Sequence, residues 1–451
     1  MKRVVILGAG ESGVGAALLA QAKGYDVFVS DSGTIKPEYK NILLENEISF
    51  EQEGHTELLV MDADLVIKSP GIPDTVSLVI NLFSKNIPVI SELEFAFRYT
   101  NGKLIAITGT NGKTTTSLMT YHLLKTAGYN VGLAGNIGTS FAKQVIEDTH
   151  DYYVIEVSSF QLDGMYDFKA DVAVLLNITP DHLDRYKNTM QNYVDSKFRI
   201  VQNMESDDAF IYFTDDYYIN KDIDKHNNRV SHYPISINQV LNEGACMAQD
   251  KLHFTVKERG FAIEYSLLPL KGKHNMVNTM AAIMAAAVMK VPFNEILEGL
   301  KTFSNIPHRL EFVTKANGVT FINDSKATNV DAVKYALESF DGPVIWIAGG
   351  VDKGNDYSEL IPLVKENVEA MICLGDGAEK LEDAFGEHIK VEKTRSMKLA
   401  IERAYNYASS GYYVLLSPAC ASFDLFKNYE DRGDKFKQAV FALKKKLVEK
   451  I

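Results

Sequence analysis

Thirteen residues, Leu104 to Thr116 (LIAITGTNGKTTT), carry the types and spacing needed to hold a phosphate chain. The apolar run Leu104–Ile107 predicts a strand. A Gly-rich turn follows, ending Gly112-Lys113-Thr114, and Leu118, Leu123, Leu124 and Ala127 predict a helix after it. In a strand, glycine loop and helix of this kind the backbone N–H groups converge on an anion, Lys113 reaches the outer phosphates, and the Thr114 hydroxyl can ligate Mg2+. The strict phosphate-loop pattern asks for Gly five places before Gly112, where Ile107 stands. The competing reading is a plain turn beside a solvated lysine, and the flanking strand and helix speak against it.

Other candidates fall at the ends of apolar runs. Tyr152–Val157 places Glu156 at the C-terminal end of a strand, and Val172–Ile178 leads into Thr179-Pro180-Asp181-His182. Such ends are where α/β sheets bind ligands, so Glu156, Asp181 and His182 are expected near a hard cation such as Mg2+ or Mn2+. Lys197 lies on a helix patterned over Tyr193–Ile200 and taken alone reads as a surface lysine. Asn275 and Asn278, three apart, share one face of an Ala-rich helix, where they either cap it or offer amides to a base. Four loaded turns follow: His308–Glu311, Asp324–Asn329, Gly349–Lys353 and Ser417–Asp424. Each alone reads as a cap. Together, with Arg309, Lys326 and Lys353 among them, they suit a charged substrate. At the N-terminus, Gly8-Ala9-Gly10-Glu11-Ser12-Gly13 fits the dinucleotide fingerprint with Asp31 near the position of a ribose-binding acid. The same glycines serve any phosphate-bearing ligand, or only a strand-to-helix turn.

Positioning these residues requires repeated strand–helix alternation, which predicts α/β architecture with mostly parallel sheets. A chain of 451 residues fits about three domains at roughly 150 residues each. The expected divisions are a Rossmann-like 1–92, a phosphate-loop ATPase-like 93–303 and a Rossmann-like 304–451. Asp207 to Asp250 is polar, rich in Asn and Asp, and offers no recognisable chemistry. With 46% hydrophobic and 24% charged residues the composition is that of a soluble globular chain, and a net charge of -12 argues against nucleic acid or a membrane surface as partner. Cys246, Cys373 and Cys420 lack the spacing of a disulfide framework or zinc site. No targeting segment or membrane span is expected, which points to a cytoplasmic protein.

Several of these stretches together carry a resemblance. Thr110–Thr114, Gly135-Asn136-Ile137-Gly138, Glu156-Val157-Ser158-Ser159-Phe160-Gln161-Leu162, the Asp181-His182 turn, Asp324–Asn329 and Ser417–Ser422 resemble the Mur ligases over the whole chain. The Asp324–Asn329 turn and the Lys427-Asn428-Tyr429-Glu430-Asp431-Arg432-Gly433 run resemble the member that adds D-glutamate. That resemblance implies ATP-dependent joining of D-glutamate to UDP-N-acetylmuramoyl-L-alanine through an acyl phosphate, in peptidoglycan synthesis, by a monomer with no membrane insertion. It assigns Gly109 to Thr115, Asn275, Asn278, Arg309 and Asp324 to ATP. To the UDP-linked substrate it assigns Asn136 and His182, with Ser12, Asp31 and Gly71 for the uracil end. Lys326, Thr328, Lys353, Ser422 and Tyr429 fall to D-glutamate. Lys113, Glu156, Asp181, His182 and Lys197 are the implied catalytic set. Thr114 and Glu156 would hold one Mg2+, and His182 with a carbamylated Lys197 a second. Two positions depart from the family pattern: Tyr429 stands where Phe is usual, and Asp31 is followed by Ser32-Gly33 instead of Thr-Arg. An NAD oxidoreductase and a nucleotide-controlled switch are the competing classes; the first leaves Lys113 and the later turns unused, and the second would need no small-molecule acceptor.

Overall fold

Short apolar runs closed by glycine and polar turns build three sheets in the computed structural model, which describes residues 1–226, 229–270, 272–304, 307–352 and 354–448. The chain forms two units, Met1–Leu268 with Asn275–Phe303, and Pro269–His274 with Ser304–Ile451. The first unit contains two of the sheets.

Strands β1 (Arg3–Leu7), β2 (Asp26–Ser30), β3 (Ser49–Glu51), β4 (Leu65–Lys68) and β5 (Val89–Ile90) make a parallel sheet in the order β3-β2-β1-β4-β5. Val4, Val5 and Ile6 are wholly buried, as expected of a parallel sheet covered by helices on both faces. Leu7 is level with Ser30 on one side and Lys68 on the other. The turns after β1, β2 and β4 therefore emerge side by side. Small residues let the helix Glu11–Ala22 approach closely: a Cβ on Gly13 would lie 1.9 Å from the Gly8 carbonyl oxygen, and one on Gly15 would lie 2.0 Å from Ser140 Oγ.

The second sheet comprises β6 (Lys103–Thr108), β7 (Val131–Gly135), β8 (Tyr152–Glu156), β9 (Val172–Leu175), β10 (Ala209–Phe213), β11 (Ser231–Ser236), β12 (Gly244–Ala248), β13 (Lys251–Val256) and β14 (Arg259–Glu264). Its order is β14-β13-β12-β11-β10-β9-β6-β8-β7, parallel from β7 to β12 and antiparallel through β13 and β14. The polar stretch 207–250 thus contributes three strands and the helix Tyr217–Asp222. Asp207, Asp208, Asp215, Asn238, Asn242 and Asp250 sit outside the strands, and this polar punctuation hides strands that are short. The predicted strand over Val172–Ile178 stops at Leu175, because the next residues bond to the phosphate loop.

The second unit is built on β15 (Glu311–Ala316), β16 (Val319–Asn323), β17 (Val344–Ala348), β18 (Val368–Leu374), β19 (Lys390–Thr394) and β20 (Tyr413–Leu416), ordered β15-β16-β20-β17-β18-β19. Only the β15–β16 hairpin is antiparallel. Trp346, fully buried, donates its indole N–H to the Ser417 carbonyl at 2.7 Å and so fixes the end of β20 against β17. Among the described residues no helix is long and apolar enough to cross a membrane.

The Gly15 contact is testable. Ser140 cannot rotate aside cheaply, because its hydroxyl donates to Glu92 Oε1 at 2.7 Å and accepts from the Lys143 N–H at 3.3 Å. Gly15→Ala is expected to lower unfolding stability by ~1–3 kcal/mol, the usual cost of overpacking, in denaturant titration. Unchanged stability would show that the approach is looser than described.

Candidate functional site

Both loop glycines use backbone angles that side chains resist. Gly109 has φ 151° and Gly112, immediately before the helix Lys113–Thr126, has φ 85°. A Cβ on Gly112 would lie 2.2 Å from Asn278 Oδ1, so the Asn278 amide sits against the loop. Asn177 clamps the loop from the end of β9: its Oδ1 accepts from the Asn111 N–H at 2.8 Å and its Nδ2 donates to the Asn111 carbonyl at 3.0 Å. The Thr110 hydroxyl donates to the Thr179 carbonyl at 3.1 Å, accepts from the Thr179 N–H at 3.0 Å and meets the Tyr193 hydroxyl at 3.1 Å. Asp216, from the chemically silent stretch, accepts from the Ile178 N–H at 3.0 Å while capping its own helix through the Tyr218 and Ile219 N–H groups. Thr114 and Thr115 are buried in the first helical turn, where unpaired N–H groups and the helix dipole favour an anion.

Two lysines meet at this loop. Lys113 Nζ donates to the carbonyls of Gly109 and Thr110 at 2.9 and 2.8 Å, and Lys197 Nζ donates to the same Gly109 carbonyl at 2.9 Å and to Thr108 Oγ1 at 3.2 Å. Lys197 is not the surface residue its helix pattern allows; it is 1% exposed. Burial pushes its amine well below the ordinary lysine range, the Lys113 cation adds to that shift, and the Asp181, Asp163 and Glu156 carboxylates oppose it.

Glu156, also 1% exposed, accepts on Oε1 from Asn136 Nδ2 at 2.9 Å, whereas its buried Oε2 has no hydrogen-bond partner among the described residues. A buried carboxylate oxygen left open in this way fits a cation ligand. Glu156, Asp181 and His182 do not come together as three ligands of one ion. The one such His and carboxylate group among the described residues is Asp195, Asp222 and His226, where Asp222 is already bonded to Lys225 and Gln191 and Asp195 to Gln191. His182 instead occupies a left-handed turn (φ 53°), with its ring 5.1 Å from that of Phe160 and Nε2 3.5 Å from Asp181 Oδ2.

The substrate-binding expectations at the first sheet fall on one edge. Asp31 accepts on Oδ2 from the Ala9 N–H at 2.6 Å and on Oδ1 from the Gly33 N–H at 2.8 Å, so its carboxylate braces the glycine turn. Ser12 lies in the first turn of the helix after that turn. Gly71 is linked to the His182 turn by Arg185, whose guanidinium reaches the Gly71 and Pro70 carbonyls at 3.4 Å each and lies 4.3 Å over the Phe160 ring. Sequence reasoning passed over Arg185 and Asn177; Asn177 is the one polar residue in the run Val172–Ile178, and that interruption was the available signal.

In the second unit the loaded turns surround Asp324. Its Oδ1 accepts from the Leu310 N–H at 3.2 Å and its Oδ2 from the Ser417 hydroxyl at 2.9 Å. Burial raises its carboxyl to about 7, against those two bonds and the nearby Arg309 and Arg432 charges. Lys326 Nζ lies 5.2 Å from the Tyr429 ring centroid, Thr328 follows on the same turn, and Ser422 is buried behind β20. Lys353 lies outside the described residues. Asn275 is half-buried near the start of the helix Lys273–Val288 and accepts on its carbonyl from the Thr279 hydroxyl at 2.7 Å. Arg432, within the noted Lys427–Gly433 run but given no role from sequence, proves to be buried and donates to Ser325, Gly349 and Cys420.

The chain is similar to known proteins in sequence and in fold. Residues 107–286 match the Mur ligase middle domain, 308–420 the Mur ligase glutamate ligase domain, and 3–77 the MurD N-terminal domain. The chain is 50% identical over 440 residues to the UDP-N-acetylmuramoylalanine--D-glutamate ligase of Christiangramia forsetii, covering 97% of this chain and 99% of that one. It is 52% identical over 444 residues to the enzyme of the same name from Bacteroides thetaiotaomicron, covering 98% and 99%. The fold is shared with MurF ligase from Thermotoga maritima in complex with ADP, with a TM-score of 0.61 at 15% identity over 94% of this chain and 96% of that one.

The raised Asp324 carboxyl predicts a pH dependence. The folded state holds a proton there up to about 7, whereas the unfolded chain releases it near 3.9, so this group's contribution is complete below about pH 4 and declines as pH rises through that window. Asp324→Asn keeps an acceptor for the Leu310 N–H and cannot ionise. Its melting temperature should gain on the wild type between about pH 4 and 7; parallel pH profiles would refute the assignment.

Proposed function

The chain belongs to the Mur ligase family, and from that membership we propose that it joins D-glutamate to UDP-N-acetylmuramoyl-L-alanine at the expense of ATP in peptidoglycan synthesis. The observation that carries the reading is the phosphate loop whose Gly109 carbonyl accepts from both Lys113 and Lys197, beside a buried Glu156 oxygen with no partner among the described residues. Segments 1–92, 93–303 and 304–451 would serve the UDP-linked substrate, ATP and the amino acid in turn, in a cytoplasmic monomer.

A carboxylate oxygen of the alanyl group attacks the γ-phosphorus of ATP, the bond to the ADP oxygen breaks, and an acyl phosphate forms. The D-glutamate amine then attacks the acyl carbon, loses a proton, and expels inorganic phosphate from the tetrahedral adduct. Since the reactants are anions, the chain's work is to offset charge and hold an in-line geometry. The N–H groups of Gly109 to Thr115 and the Lys113 ammonium bind the phosphates; Asn275, Asn278, Arg309 and Asp324 hold the rest of ATP. Asn136 and His182 orient the muramoyl part, and Ser12, Asp31 and Gly71 the uracil end. Asp181 and His182 position the incoming amine, and Lys326, Thr328, Lys353, Ser422 and Tyr429 receive the amino acid's carboxylates. Thr114 and Glu156 would hold one Mg2+, and His182 with a modified Lys197 a second, where the ions would offset charge on the phosphoryl oxygens.

An ammonium at Lys197 opposes a cation beside it, and a carbamate removes the conflict. The neutral Nζ attacks the carbon of CO2, an N–C bond forms, one C=O pair moves to oxygen, and the amine proton leaves to solvent. Deprotonating an ordinary lysine at pH ~7.4 costs about 4 kcal/mol. Burial and the Lys113 charge lower that cost, which supports the modification.

Phosphate release should require ATP, the UDP-muramoyl acceptor and D-glutamate together, measured with a panel of amino acids; release with nucleotide alone would indicate a switch protein. Lys197→Ala is expected to lose at least about 100-fold in kcat/KM, ~2.7 kcal/mol of barrier, with partial rescue by small carboxylates. A fully active variant, or an intact mass showing no CO2 adduct in protein trapped under bicarbonate, would remove the carbamate from the mechanism.

A further inference from the structure

Arg432 is among the largest side chains withdrawn from solvent in the whole chain, at 1% exposure. It lies in the first turn of the helix Tyr429–Val448, where a surface arginine would be unremarkable. Its Nε donates to Ser325 Oγ at 3.0 Å and its Nη2 to the Ser325 carbonyl at 2.8 Å; Nη1 donates to the Gly349 carbonyl at 3.3 Å and the Cys420 carbonyl at 3.1 Å. The Ser325 hydroxyl donates onward to the Tyr429 carbonyl at 2.8 Å, which closes the tie on the arginine's own helix.

The three bonded residues belong to different turns. Ser325 follows β16, Gly349 follows β17 and Cys420 follows β20, and β20 lies between the other two in the sheet. Lys326 and Thr328 follow Ser325 closely in the chain, and Ser422 follows Cys420. One planar side chain therefore sets the spacing of the backbone segments that carry the amino-acid contacts. Its hydrogen-bond partners among the described residues are carbonyl and hydroxyl oxygens; the Asp324 and Asp424 carboxylates attract it from beyond ion-pair distance. Burying a cation with no carboxylate in direct contact is a poor route to stability alone. An arginine in that setting makes sense where its fork geometry is needed and where an anion is to arrive nearby.

We propose that Arg432 is a positioning residue for the amino-acid substrate, holding the turns after β16, β17 and β20 at the separation that D-glutamate requires. The inference rests on the reading of 304–451 as the amino-acid-binding segment. Arg432 acts through Ser325, Gly349 and Cys420 and touches no substrate itself.

Full-length Arg432→Lys and Ser325→Ala are compared with Lys326→Ala, which removes a direct contact. Lysine keeps the charge but cannot serve the three turns at once; Ser325→Ala removes one acceptor of the tie and leaves the arginine in place, so it decides the matter should Arg432→Lys fail to fold. KM for D-glutamate, for ATP and for the UDP-muramoyl acceptor are measured together with kcat and melting temperature. The D-glutamate KM should rise about tenfold in Arg432→Lys and about fivefold in Ser325→Ala, the scale of one hydrogen bond lost, while the other two KM values stay within about twofold. A purely structural arginine would lower the melting temperature or kcat and leave the D-glutamate KM alone, or shift all three KM values alike. Either result, with Lys326→Ala still raising the D-glutamate KM, overturns the positioning role and leaves the proposed function standing. A wild-type protein that releases no phosphate with D-glutamate overturns that function, and this inference with it.

Discussion

Two lysine amines share one carbonyl oxygen at Gly109, and much of the first unit is arranged to make that tolerable. Like charges at such separation repel, and inside a protein the screening by water is largely lost. Lowering the proton affinity of Lys197 relieves the repulsion, as does bringing in negative charge. The first remedy suits the modification of Lys197 proposed above, and the second favours a phosphate-bearing ligand at the loop. The loop must hold its shape meanwhile, and the Asn177 amide, the Thr110 hydroxyl and the Asn278 amide at Gly112 restrain it from three sides.

The second unit solves a similar problem with different parts. Its turns leave adjacent strand ends and carry little regular structure, yet Asp324, Ser417 and Arg432 are buried and hydrogen-bonded beneath them. Buried polar networks of this kind specify one arrangement because every alternative leaves a donor or acceptor unpaired.

Much of this was legible in the sequence, because strand–helix alternation is a strong periodic signal and the glycine turns announce themselves. The apolar run Leu104–Ile107 falls within β6, and Tyr152–Val157 falls on β8, which ends one residue earlier at Glu156. What periodicity could not convey was side-chain depth. Lys197 sits at a position that a helical wheel assigns no partner, and only the convergence of its helix on β6 buries it. Asn177 looked like the tail of an apolar strand because Leu176 and Ile178 flank it; the backbone leaves the sheet there to meet Asn111. Arg432 was in plain view within a notable run, but its partners lie far away in sequence, and long-range polar pairing leaves no local trace.

Asp216 shows how far such pairing reaches. It lies in a stretch otherwise short of recognisable chemistry, yet its carboxylate holds the Ile178 N–H, three residues before Asp181. Substitution of Asp216 would therefore surface as altered turnover at a site that its own segment does not form, whereas loss of Asp215, whose bonds stay within the segment, would register in stability.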